Sequence, residues 1–355
     1  MNATVKLVKQ LMAFRPVSAD QPNVNACVEF LRDYLARHKV YTRIEKLKRR
    51  AILYAATRRI KAPSILFNAH LDVVPADEKN FRFRERSGWI WGRGSGDCLG
   101  NCAVLAQVLI QCRGQADAGA IFSTDEEIGG HTTRVMVDKG FRGKVVIIMD
   151  GGGYRMGVAQ KGILTLKLTA SGKACHGSAP WLGKNALDRL IGGYLKVKKI
   201  FPPVKKGDEW HTTCSANVMS AGTVFNRVPD RAELILDIRH TGNTSARKLV
   251  RKIRTVSGLK AEVLAQCPVV HCDERSVILR ELRKFMETSL KHRIDTVRMN
   301  GATDARHFTV LNVPIVMIGI PGKNAHADNE RANIKGMLAY QAMLENLCKH
   351  SLPSL

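Results

Sequence analysis

The chain contains 355 residues, and its 56 lysines and arginines against 31 aspartates and glutamates give a formal net charge of +25. Hydrophobic residues make up 45% and charged residues 25%, which excludes a fibrous or disordered protein and, at this length, predicts two globular domains. The sequence has no run of about 18 apolar residues, which a membrane span would need, so we expect no membrane partner. Residues 1–12 place their apolar side chains on one helix face, and we therefore expect no secretion signal.

The nine cysteines are scattered along the sequence, and none belongs to a Cys-x-x-Cys pair. An odd number of cysteines without paired spacing is typical of reduced thiols rather than of a disulfide framework or a zinc–thiolate site. We therefore expect a cytoplasmic protein.

Basic residues cluster in three stretches, at residues 46–50, 82–86 and 196–206. A net charge of +25 would by itself suggest a protein that binds nucleic acid or another polyanion. None of the three stretches lies in a helix-turn-helix, a zinc finger, an aromatic ribonucleoprotein strand or a Gly-x-x-Gly loop. We therefore expect a solvated basic surface and no nucleic acid partner.

In chain order, the sequence first alternates helices with short apolar strands. Helical spacing of apolar residues occurs in the ranges 4–14, 24–38, 103–112 and 275–290. Short strands are predicted at residues 40–44, 52–57, 64–70, 118–124, 145–149 and 313–320. Apolar strands that alternate with helices are typical of an α/β domain with a mostly parallel sheet and helices on both faces.

Between residues 162 and 270 the pattern changes to alternating apolar and polar residues. Strands are predicted at 163–170, 211–224, 231–239 and 260–265, with helices at 184–199 and 244–256. This β-α-β-β-α-β order is typical of a two-layer α+β unit with an antiparallel sheet. The simplest organisation is an α/β domain of residues 1–161 and 271–355, interrupted by an inserted α+β domain of residues 162–270.

Ionisable side chains recur where the predicted parallel strands end, which is the edge at which open α/β sheets bind their ligands. They are His70, Asp72, Asp97, Glu126, Glu127, Asp150 and His326. Each also has an ordinary explanation, such as a turn aspartate, a helix cap, a solvated acidic turn or a loop histidine. Imidazole and carboxylate groups suit zinc, or else cobalt or manganese, and two such ions would need a bridging carboxylate, for which Asp97 is the candidate.

Six ordered segments carry a resemblance to a known family. They are His70-Leu-Asp-Val-Val-Pro75, Gly92-Arg-Gly-Ser-Gly-Asp97, Thr124-Asp-Glu-Glu-Ile-Gly129, Lys173-Ala-Cys-His-Gly-Ser-Ala-Pro180, Asn226-Arg-Val-Pro-Asp230 and the surroundings of His326. They resemble the M20 family of metallopeptidases and amidohydrolases, which includes acetylornithine deacetylase, succinyl-diaminopimelate desuccinylase, aminoacylase and glutamate carboxypeptidase. The resemblance covers nearly the whole chain, and it implies that residues 162–270 form a lid that also mediates a homodimer.

The resemblance implies a binuclear zinc site in the α/β domain. Asp97 would bridge the two zinc ions. His70 and Asp150 would complete the protein ligands of one ion, and Glu127 and His326 would complete those of the other.

The resemblance also implies the residues that act on the substrate. Glu126 would be the general base that takes a proton from the metal-bridging water and later passes it to the leaving amine. Asp72 would orient the ligand His70. The family tends to have a cis peptide after the bridging aspartate, which here is the Asp97–Cys98 bond.

In the inserted domain, His176 matches a family histidine that, in dimeric relatives, reaches the partner's active site and stabilises the tetrahedral oxyanion; a loop histidine without a role is the alternative. Asn226 and Arg239 resemble positions that contact substrate. Arg239 either pairs with a substrate carboxylate or belongs to a structural salt bridge. Gly301 and Thr303 lie in a loop that resembles the family's substrate-carboxylate loop.

The chain departs from the family pattern beside the metal ligands. Cys98-Leu-Gly-Asn101 stands where the family usually has a lysine and two glycines, and Gly151-Gly-Gly-Tyr154 replaces a proline-containing turn. We therefore expect a reshaped pocket next to the metals. The sequence thus predicts a metal-dependent hydrolase that cleaves the amide bond of an N-acyl amino acid or small peptide. The alternative is a metal-binding but inactive relative whose basic surface binds a polyanion.

Overall fold

The computed structural model describes residues 2–350. Within these residues the chain forms nine α-helices: α1 Ala3–Met12, α2 Gln21–Arg37, α3 Leu99–Gln111, α4 His131–Asp138, α5 Ala186–Lys198, α6 Ala246–Ser257, α7 Val277–Leu290, α8 Ala305–Phe308 and α9 Ile334–His350. Several begin at a side chain that accepts a hydrogen bond from the first turn, as Asp20 and Ser245 do. None of the helices in this part of the chain is long and apolar enough to cross a membrane.

The same residues form nineteen strands. They are β1 Tyr41–Leu47, β2 Arg50–Ala56, β3 Ile65–His70, β4 Arg84–Arg86, β5 Trp89–Trp91, β6 Ala118–Ser123, β7 Val145–Ile148, β8 Arg155–Gln160, β9 Gly162–Ser171, β10 Cys175–His176, β11 Thr213–Ala221, β12 Arg227–Val228, β13 Arg231–His240, β14 Lys260–Cys267, β15 Val270–His271, β16 Asp295–Met299, β17 Ile315–Met317, β18 Gly322–Lys323 and β19 Arg331–Asn333.

The described residues fall into two compact units. The first comprises the residues up to Val158, then His271–Val297, and those from Thr303 onward. The second comprises Ala159–Val270 and Arg298–Ala302. The short segment 298–302 therefore belongs to the second unit, although 27 residues of the first unit separate this segment from Val270 in the sequence.

The first unit is built on a sheet whose strands lie in the order β1-β2-β6-β3-β7-β17-β8. The four central strands β6, β3, β7 and β17 are parallel, whereas β1, β2 and β8 run antiparallel to their neighbours. All six residues of β3 and of β6 are buried, as expected of central strands covered on both faces. The predicted α/β class with a mostly parallel sheet is therefore confirmed.

The register of the central strands brings their carboxyl ends to one edge. His70, the last residue of β3, lies opposite Ser123, the last residue of β6. Asn68 of β3 lies opposite Ile148, the last residue of β7. The loops that follow these three strands therefore leave the sheet side by side. These loops contain Asp72, Glu126, Glu127 and Asp150.

The second unit contains an antiparallel sheet in the order β11-β13-β9-β14, which confirms the predicted two-layer α+β class. Alternate residues of β9 and β13 are buried. Their buried side chains form one core with α5 and α6, including Leu166, Leu236, Leu190 and Ile253. The period of two follows from the pleat of a strand, which points successive side chains to opposite faces.

Several features of the first unit differ from the prediction, and helices α4 and α9 and strand β8 were not predicted. The strand predicted at residues 313–320 is limited to β17, Ile315–Met317. A small antiparallel sheet in the order β18-β19-β5-β4 was not predicted, because its strands have only two or three residues. This sheet lies beside the glycine-rich loop, since Gly92 donates its N–H to the carbonyl oxygen of Glu330 at 2.9 Å.

Candidate metal centre

His70 is the last residue of β3, at the sheet edge where the site lies, and it is only 1% exposed. Its Nδ1–H donates to the main-chain oxygen of Asp72 at 2.9 Å, so that Nε2 is the ring nitrogen left to face the site. Nε2 lies 3.0 Å from Oδ1 of Asp97 and 3.9 Å from Oδ1 of Asp150. A ring N–H held by a carbonyl oxygen is the usual arrangement of a metal-binding histidine.

Asp97 follows the glycine-rich loop, and the Asp97–Cys98 peptide bond is cis, as the resemblance implied. The loop is held by Glu330, whose Oε1 accepts the N–H groups of Gly96 at 3.0 Å and Asp97 at 3.1 Å. Oε2 of the same side chain pairs with Arg93 at 2.6 Å, and this ion pair is almost fully buried. The buried carboxylate of Glu330, which accepts two main-chain N–H groups and pairs with Arg93, therefore fixes the position of the loop.

His326 approaches Asp97 from the other side. Its Nε2 lies 3.1 Å from Oδ2 of Asp97 and 3.0 Å from both carboxylate oxygens of Glu127. The hydrogen bonds with Asp97 and then Glu127 raise the pKa of His326 to about 10. Asp97 therefore presents one oxygen to His70 and the other to His326.

The donor atoms form two groups that could each hold a metal ion. In the first group, the donor atoms of His70, Asp97, Cys98 and Asp150 lie within 4.8 Å of one another. In the second group, those of Asp97, Glu127 and His326 do the same. Asp97 is common to both groups, and Cys98 is a donor that the sequence analysis had not counted. The nitrogen and oxygen donors of the two groups, with the sulfur of Cys98 in the first, fit a pair of divalent metal ions.

The two carboxylates of the first group, those of Asp97 and Asp150, lie close together. Burial and then the negative charge of Asp97 raise the pKa of Asp150 well above its usual range. Buried acidic groups that face one another are costly unless protons or cations neutralise them. A dication between Asp97 and Asp150 would remove this cost, which supports the fit of the residues to a metal.

Glu126 lies beside the donor groups without belonging to either of them. Burial and then the negative charge of Asp304 raise its pKa to about 8. Arg306 opposes this shift, because its Nη1 lies 3.3 Å from Oε1 of Glu126. A buried carboxyl group with a pKa near neutrality is suited to accept and return a proton.

Asp72 has more contacts than its predicted role required. Its Oδ1 is 3.5 Å from His70 Nδ1, farther than the main-chain oxygen of the same residue. The carboxylate accepts the Ser18 hydroxyl at 2.6 Å and the N–H groups of Glu126 at 3.1 Å and Glu127 at 3.3 Å. Asp72 therefore anchors the turn that carries Glu126 and Glu127 as well as contacting His70.

In the second unit, the structure brings His176 and Asn226 together. The N–H of Gly177 donates to the main-chain oxygen of Asn226 at 2.7 Å, and His176 pairs with Arg227 across β10 and β12. The exposed His176 ring accepts the N–H of Ser178 at Nδ1, 3.2 Å away. Nε2 is then the nitrogen that carries a proton.

The remaining predicted substrate contacts have different surroundings. Arg239 Nε lies 3.1 Å from both carboxylate oxygens of Asp237, so that this arginine has the structural salt bridge considered as its alternative. Gly301 is exposed, whereas Thr303 is only 4% exposed. The main-chain oxygen of Thr303 accepts Nη1 of Arg306 at 3.0 Å, which ties this loop to the partner of Glu126.

The sequence analysis missed the residues that hold the site in place, namely Ser18, Arg93, Asp304, Arg306 and Glu330. Asp304 is 1% exposed and accepts the hydroxyl groups of Ser123 at 2.7 Å and Thr133 at 2.5 Å. The Asp304-Ala-Arg306 segment, which begins three residues after Gly301, was visible in the sequence, but nothing near it indicated that Arg306 would face Glu126.

The chain is similar to known proteins both at the level of the family and in its sequence. The model of peptidase family M20/M25/M40 matches residues 66–350. A probable succinyl-diaminopimelate desuccinylase of Staphylococcus aureus strain Mu50 is 27% identical over 255 residues, which are 61% of this chain and 64% of that relative. A probable carboxypeptidase of Aspergillus terreus is 30% identical over 56% of this chain and 50% of that relative. The matched region thus spans less than two thirds of either relative.

Solved structures share the whole fold at low sequence identity. The M20 metallo-carboxypeptidase Sso-CP2 from Sulfolobus solfataricus has a TM-score of 0.81 at 19% identity, covering 98% of this chain and 99% of its own. The Bacillus subtilis YXEP protein, described as a dinuclear metal binding peptidase from the M20 family, has a TM-score of 0.70 at 15% identity, covering 99% and 98%. With the family model matching most of the sequence, the chain belongs to peptidase family M20/M25/M40.

Proposed function

We propose that the chain is a metal-dependent hydrolase that cleaves the amide bond of an N-acyl amino acid or a small peptide. The observation that carries this proposal is the position of Asp97, whose two carboxylate oxygens face different histidines, His70 at 3.0 Å and His326 at 3.1 Å. A carboxylate so placed suits a bridge between two metal ions, with Asp150 beside one ion and Glu127 beside the other. We propose zinc, with cobalt or manganese as alternatives for the same ligands.

In the proposed reaction, the metal ions and the protein side chains have different roles. Two dications would polarise the substrate carbonyl and lower the pKa of a water molecule. Glu126 takes the proton of the attacking water and then gives it to the leaving amine. Arg306 favours the ionised form of Glu126 that must accept this proton, and Asp72 holds the backbone of Glu126 in place through its N–H.

We further propose, from the resemblance, that His176 and Asn226 act on the substrate. The support is chemical: the Nδ1 of His176 is an acceptor for Ser178, which leaves Nε2–H as a donor for a developing oxyanion. Arg239 would bind a substrate carboxylate only if that carboxylate displaced Asp237 from its salt bridge with Arg239. We propose Gly301 and Thr303 as substrate contacts on the resemblance alone.

We also propose a homodimer formed through residues 162–270. Strand β11 is an edge of its sheet and pairs only with β13. Val218 and Met219 on this strand are 56% and 49% exposed. A nine-residue edge strand with exposed apolar side chains is a ready template for pairing with a second chain. A Val218→Lys variant should shift the protein from dimer to monomer in light scattering after size exclusion. An unchanged mass would contradict pairing through this edge.

A cytoplasmic location is part of the same proposal. All nine cysteines lie within residues 2–350, and none of them forms a disulfide there. Unpaired cysteines in this number fit a reducing compartment.

The function is tested with a substrate panel and zinc. The panel contains N-succinyl-diaminopimelate, N-acetyl amino acids and dipeptides with acidic, basic and apolar residues. We expect zinc-dependent release of an amine from at least one class, and the same preparation treated with a chelator should be inactive. If the zinc-loaded protein hydrolyses none of these compounds, the proposed activity is wrong.

A further inference from the structure

A groove of about 640 Å³ lies on the first unit, outside the metal centre. One wall is the β1–β2 turn, with Lys48, Arg49 and Arg50, and the other is α4, with His131 and Arg134. Three residues of the basic stretch 46–50, namely Lys48, Arg49 and Arg50, therefore line this groove, and the proposed hydrolysis does not use them. The volume of the groove is that of a small-molecule site.

The two walls meet for simple geometric reasons. Lys48 has a φ of 53°, which reverses the chain between β1 and β2 and projects the turn. On α4, His131, Arg134 and Val135 are spaced three and four residues apart and therefore share one helix face. The helix packs against β1, so that this face is directed to the turn.

The groove is rich in unneutralised positive charge. No acidic residue lines it. Glu45, the one acidic residue of β1, is already shared by Arg43 and Lys139 through its two oxygens. Arg134 pairs with Asp138, but among residues 2–350 no ion pair involves Lys48, Arg49 or Arg50.

Arg50, which lines the groove, is held by main-chain oxygens and not by a carboxylate. Arg50 donates Nη1 to the main-chain oxygen of Thr124 at 2.5 Å and Nη2 to that of Ser18 at 2.8 Å. The guanidinium is therefore held in place while its positive charge stays uncompensated. Like charges gathered at one place repel, and a bound anion relieves the repulsion.

We propose that this groove binds a small molecule that carries a chain of phosphate groups. Arg49 provides a planar guanidinium fork that matches phosphate oxygens, Lys48 adds a point charge, and Arg50 adds the positive charge of its fixed guanidinium. Leu47 and Val135 provide apolar surface next to the cations. The phosphate chain belongs to an inorganic polyphosphate or to a nucleotide, and both share the same contacts with the cations.

The test is calorimetric titration of the zinc-loaded full-length protein with sodium tripolyphosphate and, separately, with ATP. Three proteins are compared: wild type, Lys48→Ala/Arg49→Ala, and the control Lys46→Ala/Arg86→Ala. The control loses the same two charges from exposed strand positions that do not line the groove. All three proteins keep the metal centre, so that binding of phosphate to zinc is common to them.

We expect the wild type and the control to bind tripolyphosphate equally, and the groove variant to bind it at least tenfold more weakly, with a loss of affinity as salt is raised. Tighter binding of ATP than of tripolyphosphate, lost in the groove variant, would identify a nucleotide. Equal affinity of the groove variant and the wild type for both probes would overturn the proposal. Citrate binding as tightly as tripolyphosphate would also overturn it, because the groove would then not select phosphate.

Discussion

Arg306 contacts Glu126 across 180 residues of sequence, with Nη1 of the arginine 3.3 Å from Oε1 of the glutamate. Both side chains are nearly buried, at 4% and 10% exposure. The ion pair opposes the burial and the Asp304 charge that raise the pKa of Glu126 to about 8. Burial and Asp304 therefore raise the pKa of the proposed general base, whereas His70 and Arg306 lower it.

Glu126→Gln removes the proposed base while keeping its size and its contact with Arg306. We expect kcat to fall by roughly 10²–10⁴-fold, which is the usual contribution of general acid–base catalysis. Zinc content by mass spectrometry and the melting temperature should match the wild type, since Glu126 belongs to neither donor group. A Gln variant with wild-type kcat would assign the base to another residue.

Arg306 is tested by comparing Lys and Met at this position. Met removes the positive charge that favours ionised Glu126, so that the pKa of Glu126 rises further and the acid limb of the kcat/KM profile moves to higher pH. Lys keeps the charge and should leave that limb closer to the wild type. If both variants lose activity to the same extent at every pH, Arg306 has only a structural role.

The pH dependence of stability is tested at His307. Burial and then Arg306 lower its pKa to about 4, and Nε2 accepts the Nε–H of Arg306 at 3.2 Å, so that the native state requires a neutral ring. The unfolded chain protonates near pH 6.5, and the free energy of unfolding therefore falls as pH is lowered from about 6.5 to about 4, by about 3 kcal/mol in total.

His307→Gln cannot gain this proton, and its free energy of unfolding should fall less over the same interval. Urea unfolding of chelator-treated wild type and variant at pH 7.0 and 4.5 measures the difference without a contribution from metal release. Parallel losses in the two proteins would show that His307 does not carry the effect.

The glycine-rich loop makes its closest approach at Gly100, in the first turn of α3. A Cβ there would lie 2.2 Å from the main-chain oxygen of Ser95 and 2.7 Å from Cδ1 of Ile320. We expect Gly100→Ala to lower the free energy of unfolding by about 1–3 kcal/mol and to weaken zinc binding through the displaced loop.

Gly192 is the matched control, because it also lies in a helix and a Cβ there meets nothing within 4 Å. Gly192→Ala should raise stability by about 0.5–1 kcal/mol, the usual gain in an exposed helix. Equal effects of the two substitutions on thermal unfolding would show that the close approach at Gly100 is not required.

The sequence indicated where His70 and Asp97 would lie, because both residues are tied to strong local patterns. His70 ends a wholly apolar strand, and Asp97 follows a run of glycines, so that strand ends and loop composition indicated where they would lie. The parallel order of the central strands then brings these ends together. The antiparallel sheet of the second unit was predictable from another local pattern, because buried and less buried residues alternate along β9 and β13.

The supports of the site were not predictable, because they depend on contacts between distant residues of ordinary type. Glu330 meets Arg93 across 237 positions, and Ser18 meets Asp72 across 54. A buried ion pair and an isolated hydroxyl leave no periodic pattern in the sequence. Cys98 was missed for a different reason: a lone thiol after Asp97 gave no indication of whether it would face the donors.

We propose that Asp97 joins two metal ions and that hydrolysis requires both ions. The most direct measurement is amide hydrolysis, on the substrate found by the panel, as chelator-treated protein is titrated with zinc and bound metal is counted. We predict activity that rises to a maximum near two zinc ions per chain, and an Asp97→Asn variant that retains fewer ions and stays inactive. Full activity without bound metal, or an Asp97→Asn protein that holds two zinc ions and turns over normally, would contradict the account.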